Sequence, residues 1–525
     1  MQRHIARLRK IIAGLHPAVV AVLIGCAYFA VQYAFLGQYG VTWDEPLHRN
    51  WGKIFGLFFR TGDRSIFSYL AGNGIYYGPL YPFANFELSA FFVRAYWLPL
   101  AQANHVLNLF TASAAVGCLF VLASAVGGRR VGFFSSAALI FFPSFLAHSH
   151  YNTTDIPLMT AILVTATFFT VGLLRDRRWM IVLSAGLFGM SVAIKVSALI
   201  MAPVFLLTYA LWVFDRLRTN RVSWHTCRIE FLTIVLAIIA CGLGLYLAWP
   251  TAWGDIGIIS RSVRMFLGSD FWSGRVLFFG KEYAAIDLPW FYTAFEYLAA
   301  LPVLSIVAFC IGGIVVVRSL KHTHRRVSLL FLALWVLFPL FLSMKPGLVR
   351  YDGMRQFFFC LPAIAVLCGL GFDAAREFVT RKFSAHMWVP YGALLIILFL
   401  LLREVFLIHP FEGSYRNELV RFIFPRDLDH QFQIEYWGPT YKQGMDWLTE
   451  NAEPNPVICV PVAGILLIWY PGRPDFDFDC SKRTNYVMFF TRYTETGNFS
   501  SLPMEPVYVI SRYDSALLKI YKVRN

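Results

Sequence analysis

The chain has 525 residues, 58% of them hydrophobic and 15% charged, with a mean hydropathy of +0.56. That much apolar sequence excludes a single soluble domain and describes a polytopic membrane protein. The formal net charge of +15 does not indicate nucleic acid, because the basic residues gather in alternate loops between apolar stretches.

Near-continuous apolar stretches run at about 17–36, 104–127, 131–149, 156–174, 179–194, 196–214, 229–249, 291–317, 328–344, 356–374 and 388–407, each close to the length a helix needs to cross a bilayer. They predict an α-helical fold of about eleven transmembrane helices. The stretch 179–214 reads either as one long helix or as a tight pair whose outer turn carries Lys195. Arg3, Arg7, Arg9 and Lys10 precede the first span, and Arg129-Arg130, Arg175 to Arg178, Arg216 to Arg221, Arg318 to Arg326 and Arg376 to Lys382 fall at alternate loops. Under the positive-inside rule a cytosolic start puts Asp44, Asp155, Trp253 and Asp352 outside, together with residues 408–525. The first span has a basic flank and no small-residue cleavage site after it, which fits an uncleaved anchor.

The first outer loop opens on Val41-Thr-Trp-Asp-Glu45. Two adjacent carboxylates so near lipid are costly, and they are flanked by Trp43, Pro46 and His48 rather than by a polar loop, so Asp44 is a candidate fixed base. The alternative is a pair of solvated loop carboxylates. Next come Trp51, Phe55, Phe58 and Phe59 at helical spacing, an amphipathic helix that either lies in the membrane interface or packs on its neighbours. Further on, Asn152-Thr-Thr-Asp155-Ile-Pro157 starts the fourth span. Thr or Asp before Ile-Pro is a good helix cap, a role compatible with Asp155 also serving a reaction site. His148 and His150 are poorly spaced as paired ligands and no cysteine pair has ligand spacing, so neither a metal nor another cofactor is expected.

Lys345, Arg350 and Arg355 lie with Asp352 between two spans on the predicted outer side, against the positive-inside rule. Such a cluster invites an anionic ligand, the alternative being contact with lipid headgroups. Lys195 is similarly placed. After residue 407 the composition becomes globular. Tyr441 to Asn451 reads as a helix, and Val457 to Val462, Tyr486 to Phe490 and Val507 to Ile510 read as strands. Residues 1–407 thus form a membrane domain and 408–525 a small extracytoplasmic α/β domain, in which Cys459 and Cys480 are the sole plausible disulfide partners, their spacing leaving the pairing open.

An outer-edge base beside an outer-edge cationic patch suits sugar transfer from a lipid-linked phosphate. The base takes the acceptor hydroxyl proton, the oxygen attacks the anomeric carbon, and a cation-stabilised phosphate leaves. A transporter or lipid flippase would instead show charges near span centres and repeated broken helices. Here the notable charges cluster at one face and no repeat is visible.

The motifs Val41-Thr-Trp-Asp-Glu45, Tyr76-Tyr-Gly-Pro-Leu-Tyr-Pro82, Asn152-Thr-Thr-Asp155-Ile-Pro157, Lys195-Val-Ser, Leu288-Pro-Trp290-Phe-Tyr292, Tyr351-Asp-Gly-Met-Arg355-Gln-Phe, His409 to Asn417 and Glu435-Tyr-Trp-Gly438 resemble bacterial members of the dolichyl-phosphate-mannose protein mannosyltransferase-like group, glycosyltransferase family 39, with the GT-C membrane fold. The resemblance covers nearly the whole chain. It implies a polyprenyl-phosphate-sugar donor, inversion at the anomeric carbon, Asp44 as base with Glu45 beside it, and Asp155 as a second acidic group in a cavity shared with His48, Tyr77, Asn152 and Asp352. Some relatives, the lipid A aminoarabinose transferases, carry a basic residue just before the Pro-Leu of the first loop, where this chain has Tyr77-Gly78-Pro79-Leu80. Phosphate holding then falls to Lys195, Lys345, Arg350 or Arg355. The implied setting is the bacterial cytoplasmic membrane and its lipids, with a protein, lipid or glycan hydroxyl as acceptor and no nucleic acid.

Overall fold

The computed structural model describes residues 14–219, 224–268, 272–320, 325–383, 388–426, 428–470, 472–492 and 504–523. The predicted basic flank at Arg3, Arg7, Arg9 and Lys10, together with Arg221 and residues 321–324 of the Arg318 to Arg326 segment, lies outside the described residues. The helices are α1 (Pro17–Ala34), α2 (Glu45–Thr61), α3 (Leu80–Arg94), α4 (Leu100–Gly127), α5 (Arg129–Ile140), α6 (Pro143–Tyr151), α7 (Asp155–Leu174), α8 (Arg178–Ile194), α9 (Ala202–Thr219), α10 (Trp224–Ala248), α11 (Gly257–Leu267), α12 (Tyr292–Ala300), α13 (Val303–Ser319), α14 (Arg326–Ser343), α15 (Leu361–Lys382) and α16 (Trp388–Ile408).

Among the described residues eight helices are long and apolar enough to cross a membrane, and ten spans result when the bent pairs α5/α6 and α12/α13 each count as one. The eleventh expected span is α8, an apolar helix of 17 residues. The expected continuous spans 131–149 and 291–317 are broken instead, by 69° and 114°. Proline explains both breaks: Phe142 and Leu301 precede Pro143 and Pro302, and the proline ring forces each into an extended conformation that ends the first helix.

The stretch 179–214 is two helices rather than one, broken at Lys195, with α8 packed on α7 and α10 more than on α9. Asp176, at the start of α8, is ion-paired with both Arg178 and Arg216, the latter near the end of α9, so the two helices begin and end on one face. Other basic residues share that face: Arg325, before α14, donates to the Val126 carbonyl at 2.7 Å, and Arg130 on α5 pairs with Asp373 on α15 at 3.0 Å. This is the predicted alternation of charge seen in three dimensions. Spans α7 and α15 are wrapped by the others, whereas α10 and α16 are peripheral and leave most of their apolar side chains exposed, as helices that are apolar all round and face lipid must.

On the opposite face a hairpin, β1 (Arg275–Phe278) and β2 (Lys281–Ala284), sits in the long connection before α12. The chain after α16 folds over this face. It forms α17 (Tyr441–Asn451) and a four-stranded sheet in the order β3-β4-β6-β5, with β3 (Ile458–Cys459) parallel to β4 (Tyr486–Phe490), and β6 (Ser515–Val523) antiparallel to β4 and to β5 (Met504–Arg512). The expected strand 457–462 pairs with β4 over Ile458–Cys459, after a bridge of Val457 to Asp477, with Pro461, which has no N–H to donate, shortly beyond. Cys459 and Cys480 form a disulfide. No gap separates this tail from the loops: Val41, Val349, Tyr351 and Phe411 pack in one core with Met445, Phe490 and Leu518.

Candidate active site

The two adjacent carboxylates of the first loop divide their labour. Glu45 folds back on Thr42, accepting from the Thr42 amide at 2.8 Å and its hydroxyl at 3.1 Å. Its remaining capacity is taken by two α4 side chains, Asn104 at 2.7 Å and His105 at 3.0 Å, in full burial. With α2 thus started, Asp44 makes no capping bond and turns the other way. Its Oδ2 accepts from Arg355 Nη1 at 2.8 Å, and its side chain is 32% exposed. Burial pushes the Asp44 carboxyl up, but Arg355 and then His48 outweigh this and hold it below the ordinary carboxylate range. Burial holds the His48 imidazole below its usual value against Asp44 and Glu45, so it is neutral at pH 7. His48 Nδ1 meets Thr153 Oγ1 at 2.6 Å, tying α2 to the entry of α7.

At that entry the cap is Asn152 rather than the expected Thr154 or Asp155: its Oδ1 accepts from the Asp155 amide at 2.8 Å. The Asp155 side chain is therefore free to take Lys195 Nζ at 2.7 Å and Asn152 Nδ2 at 3.0 Å. Lys195 arrives because α8 stops at Ile194, where Lys195 is extended and the Ala193 carbonyl is taken by the Gly78 amide of the first loop at 2.8 Å. Gly78 permits this approach, since a Cβ there would overlap that carbonyl oxygen. Neighbouring Tyr77 packs between Trp51 and Phe266, at 4.9 and 5.5 Å, and is electrostatically coupled to Asp44 and Asp155.

The cationic cluster separates into three roles. Arg355 is shared between Asp44 and Asp352, the latter at 3.3 Å, and lies over the Trp437 ring at 4.3 Å. Arg350 does not face the site, which corrects its expected place as a phosphate ligand: its guanidinium donates to the carbonyls of Pro289 at 2.8 Å, of Leu348 at 3.3 Å and of Leu288. It staples the loop to the segment before α12. Lys345 is exposed, on the rim of a cavity of about 430 Å³ whose walls come from residues 195–203, α11, α14 and the loop up to Phe357. Lys195 lines the same cavity, and Gln356, next to Arg355, does too.

The structure thus gathers Asp44, His48, Tyr77, Asn152, Asp155, Lys195, Asp352 and Arg355, leaves Lys345 at the rim, and turns Glu45 and Arg350 away. It also gives a place to Trp437 of the Glu435–Gly438 motif and adds a group the sequence did not single out. Trp437 walls Arg355, and Arg492 from the tail reaches Asp352 at 3.4 Å. Asn104-His105 was visible as a polar pair opening an apolar span, but Arg492 sits in no motif. Among the described residues no group of three His, Cys, Asp or Glu side chains gathers as a metal site.

The family model of dolichyl-phosphate-mannose-protein mannosyltransferases matches residues 103–243, the segment that carries Asn152, Asp155 and Lys195. Over that segment the chain is similar to membrane mannosyltransferases. No curated protein sequence matches the chain. Among solved structures it is similar to the oligosaccharyltransferase of Archaeoglobus fulgidus in the apo form, with a TM-score of 0.51 at 11% identity, over 90% of this chain and 69% of that one. The ArnT of Cupriavidus metallidurans is similar over 95% of this chain and 97% of its own at 13% identity, with a TM-score of 0.49 in its apo state. Its form bound to undecaprenyl phosphate matches at 0.47 and 13%, over 96% and 97%. At these identities the likeness is one of fold.

Proposed function

We propose that this enzyme moves a sugar from a polyprenyl-phosphate donor to an acceptor hydroxyl, with inversion at the anomeric carbon, on the outer face of a bacterial cytoplasmic membrane. The observation that carries the reading is an apolar-walled cavity that both Lys195 and Lys345 line, and that Gln356 lines beside Arg355, which holds the carboxylate of Asp44. Leu199, Ile200, Pro203, Phe338 and Leu342 offer a wall for a prenyl chain, and Lys195 and Lys345 offer cations to its phosphate.

Charge narrows the donor class. Asp44, Asp155 and Asp352 are each matched by a cation, Arg355, Lys195 and Arg492, so the surplus at the cavity mouth is Lys345. A sugar phosphodiester, which carries a single negative charge, suits that surplus better than a diphosphate. In the step itself the acceptor O–H gives its proton to Asp44, its oxygen bonds to the anomeric carbon, and the bond to the bridging phosphate oxygen breaks with its electron pair staying on the lipid phosphate. A phosphate near Lys195 also competes for Arg355, which frees Asp44 as donor binds. The outer-face assignment draws on the tail disulfide, which needs an oxidising compartment, and on the basic ring at the opposite face.

The test is reconstitution in vesicles with polyprenyl-phosphate sugars, polyprenyl-diphosphate sugars and envelope acceptors. Release of polyprenyl phosphate from the monophosphate donors is expected. Turnover of the diphosphate donors alone would refute the reading.

A further inference from the structure

We propose that Arg492, supplied by the tail, is a positioning residue for this reaction: it acts through Asp352 to hold Arg355 on Asp44. The inference rests on the reading of Asp44 as base. Four side chains form one continuous chain of contacts from the tail sheet to that base. Arg492, just beyond β4, places Nη1 at 3.4 Å from Asp352 Oδ1 and donates to the Tyr436 carbonyl at 2.9 Å. The other oxygen of Asp352 faces Arg355 Nη2 at 3.3 Å, and Arg355 Nη1 reaches Asp44 at 2.8 Å. Arg492 and Asp352 are both about 5% exposed or less, so water does not screen them strongly.

Aromatic rings fix both guanidinium groups. Trp43, the residue before Asp44, and Trp272 lie 5.6 and 5.2 Å from the Arg492 guanidinium carbon, and Trp437 and Tyr351 lie 4.3 and 5.3 Å from that of Arg355. Asp352 itself stands at φ +53, a conformation rare for a residue with a Cβ, with the next amide held by the Tyr292 hydroxyl at 2.9 Å. A carboxylate kept in such a conformation between two arginines orients them by sharing its two oxygens. Without Arg492, Asp352 would draw Arg355 to itself with both oxygens, and Asp44 would lose part of its cation. The groups that face Asp44 are Arg355, His48 and Asp155, with Tyr77 and Tyr351 also coupled to it. Of these, Arg355 is ion-paired with Asp352, whose charge also acts on Asp44, Asp155 and Tyr351 through space.

The test is donor kcat/KM against pH for the full-length wild type, R492M, R492K, D352N and the R492M/D352N pair, each checked for folding by thermal melting. In R492M the acid limb is expected to move up by about one pH unit, the scale of weakening an Asp–Arg contact. In the D352N background R492M should add no further shift. R492K, which keeps the charge but loses the planar guanidinium that lies against Trp43 and Trp272, should shift it the same way by less, and decides the matter where R492M does not fold. An unmoved acid limb with rates lowered equally at every pH, or an equal shift with and without Asp352, would make Arg492 a prop for the tail and overturn the inference. Normal turnover by D44N would instead remove the base reading on which the inference stands.

Discussion

Arg355 Nη1 lies 2.8 Å from Asp44 Oδ2, across 311 residues of sequence. In this arrangement the proposed base is stored as an ion pair, with its carboxyl below the ordinary carboxylate range. A donor phosphate that recruits Arg355 would raise the basicity of Asp44 at the moment it is needed, so that donor binding and proton transfer are linked through one guanidinium.

The two cavity lysines should separate kinetically. Lys345 is exposed at the rim, and K345A is expected to raise the donor KM several-fold with kcat little changed. Lys195 is paired with the buried Asp155 at 2.7 Å, so K195M should cost stability of about 3–5 kcal/mol by leaving a buried charge unmatched, as well as most of the turnover. Donor titrations and thermal melts of both variants check this, and equal effects from the two would contradict it.

Glu435 supplies a pH signature. Burial raises its carboxyl from 4.5 to about 7, although the amides of Trp437 and Gly438 at 3.0 and 2.9 Å favour the charged form. A folded-state pKa above the unfolded value means the native protein binds more protons between these limits, so stability falls as pH rises from 4.5 to about 7 and then levels. Melting temperatures measured across that window should show this decline, and E435Q should flatten it. A variant that kept the wild-type slope would assign the decline to another group.

Gly78 should be intolerant of a side chain. Its amide caps the Ala193 carbonyl, and a Cβ would push into that oxygen. G78A is expected to lower the melting temperature and, by moving the turn that presents Lys195, to raise the donor KM. Unchanged donor kinetics in G78A would show that the first loop does not set the position of Lys195.

A lone phosphate leaving group, which gains its second negative charge as the bond breaks and is held by lysine and arginine, does not require a divalent ion. Turnover is therefore expected to survive prolonged EDTA treatment. Loss that one particular cation restores would overturn this expectation.

The order of apolar helices was legible in the sequence because hydropathy is a local property. Asp44, Asp155 and Lys195 stood out as charges at span ends, and the structure brings them together. The division between Asp44 and Glu45 was not legible: neighbouring carboxylates look alike until the Thr42 amide and hydroxyl and the α4 partners Asn104 and His105 fix one of them. Arg350 and Arg355 likewise look equivalent as violations of the charge rule. Only the fold shows the first bound to carbonyls and the second to carboxylates. The bends before Pro143 and Pro302 follow from local chemistry and were readable in principle, whereas Arg492 depends on how the tail docks.

The most direct measurement is the rate of polyprenyl phosphate release by purified Asp44→Asn, beside Glu45→Gln, with saturating polyprenyl-phosphate sugar and acceptor. Asp44→Asn should fold, bind donor and lose about 10²–10⁴-fold in turnover, the scale of a missing general base, while Glu45→Gln loses less per turnover and more in stability. Near-normal release by folded Asp44→Asn would contradict the assignment of Asp44 as the base and with it the proposed mechanism.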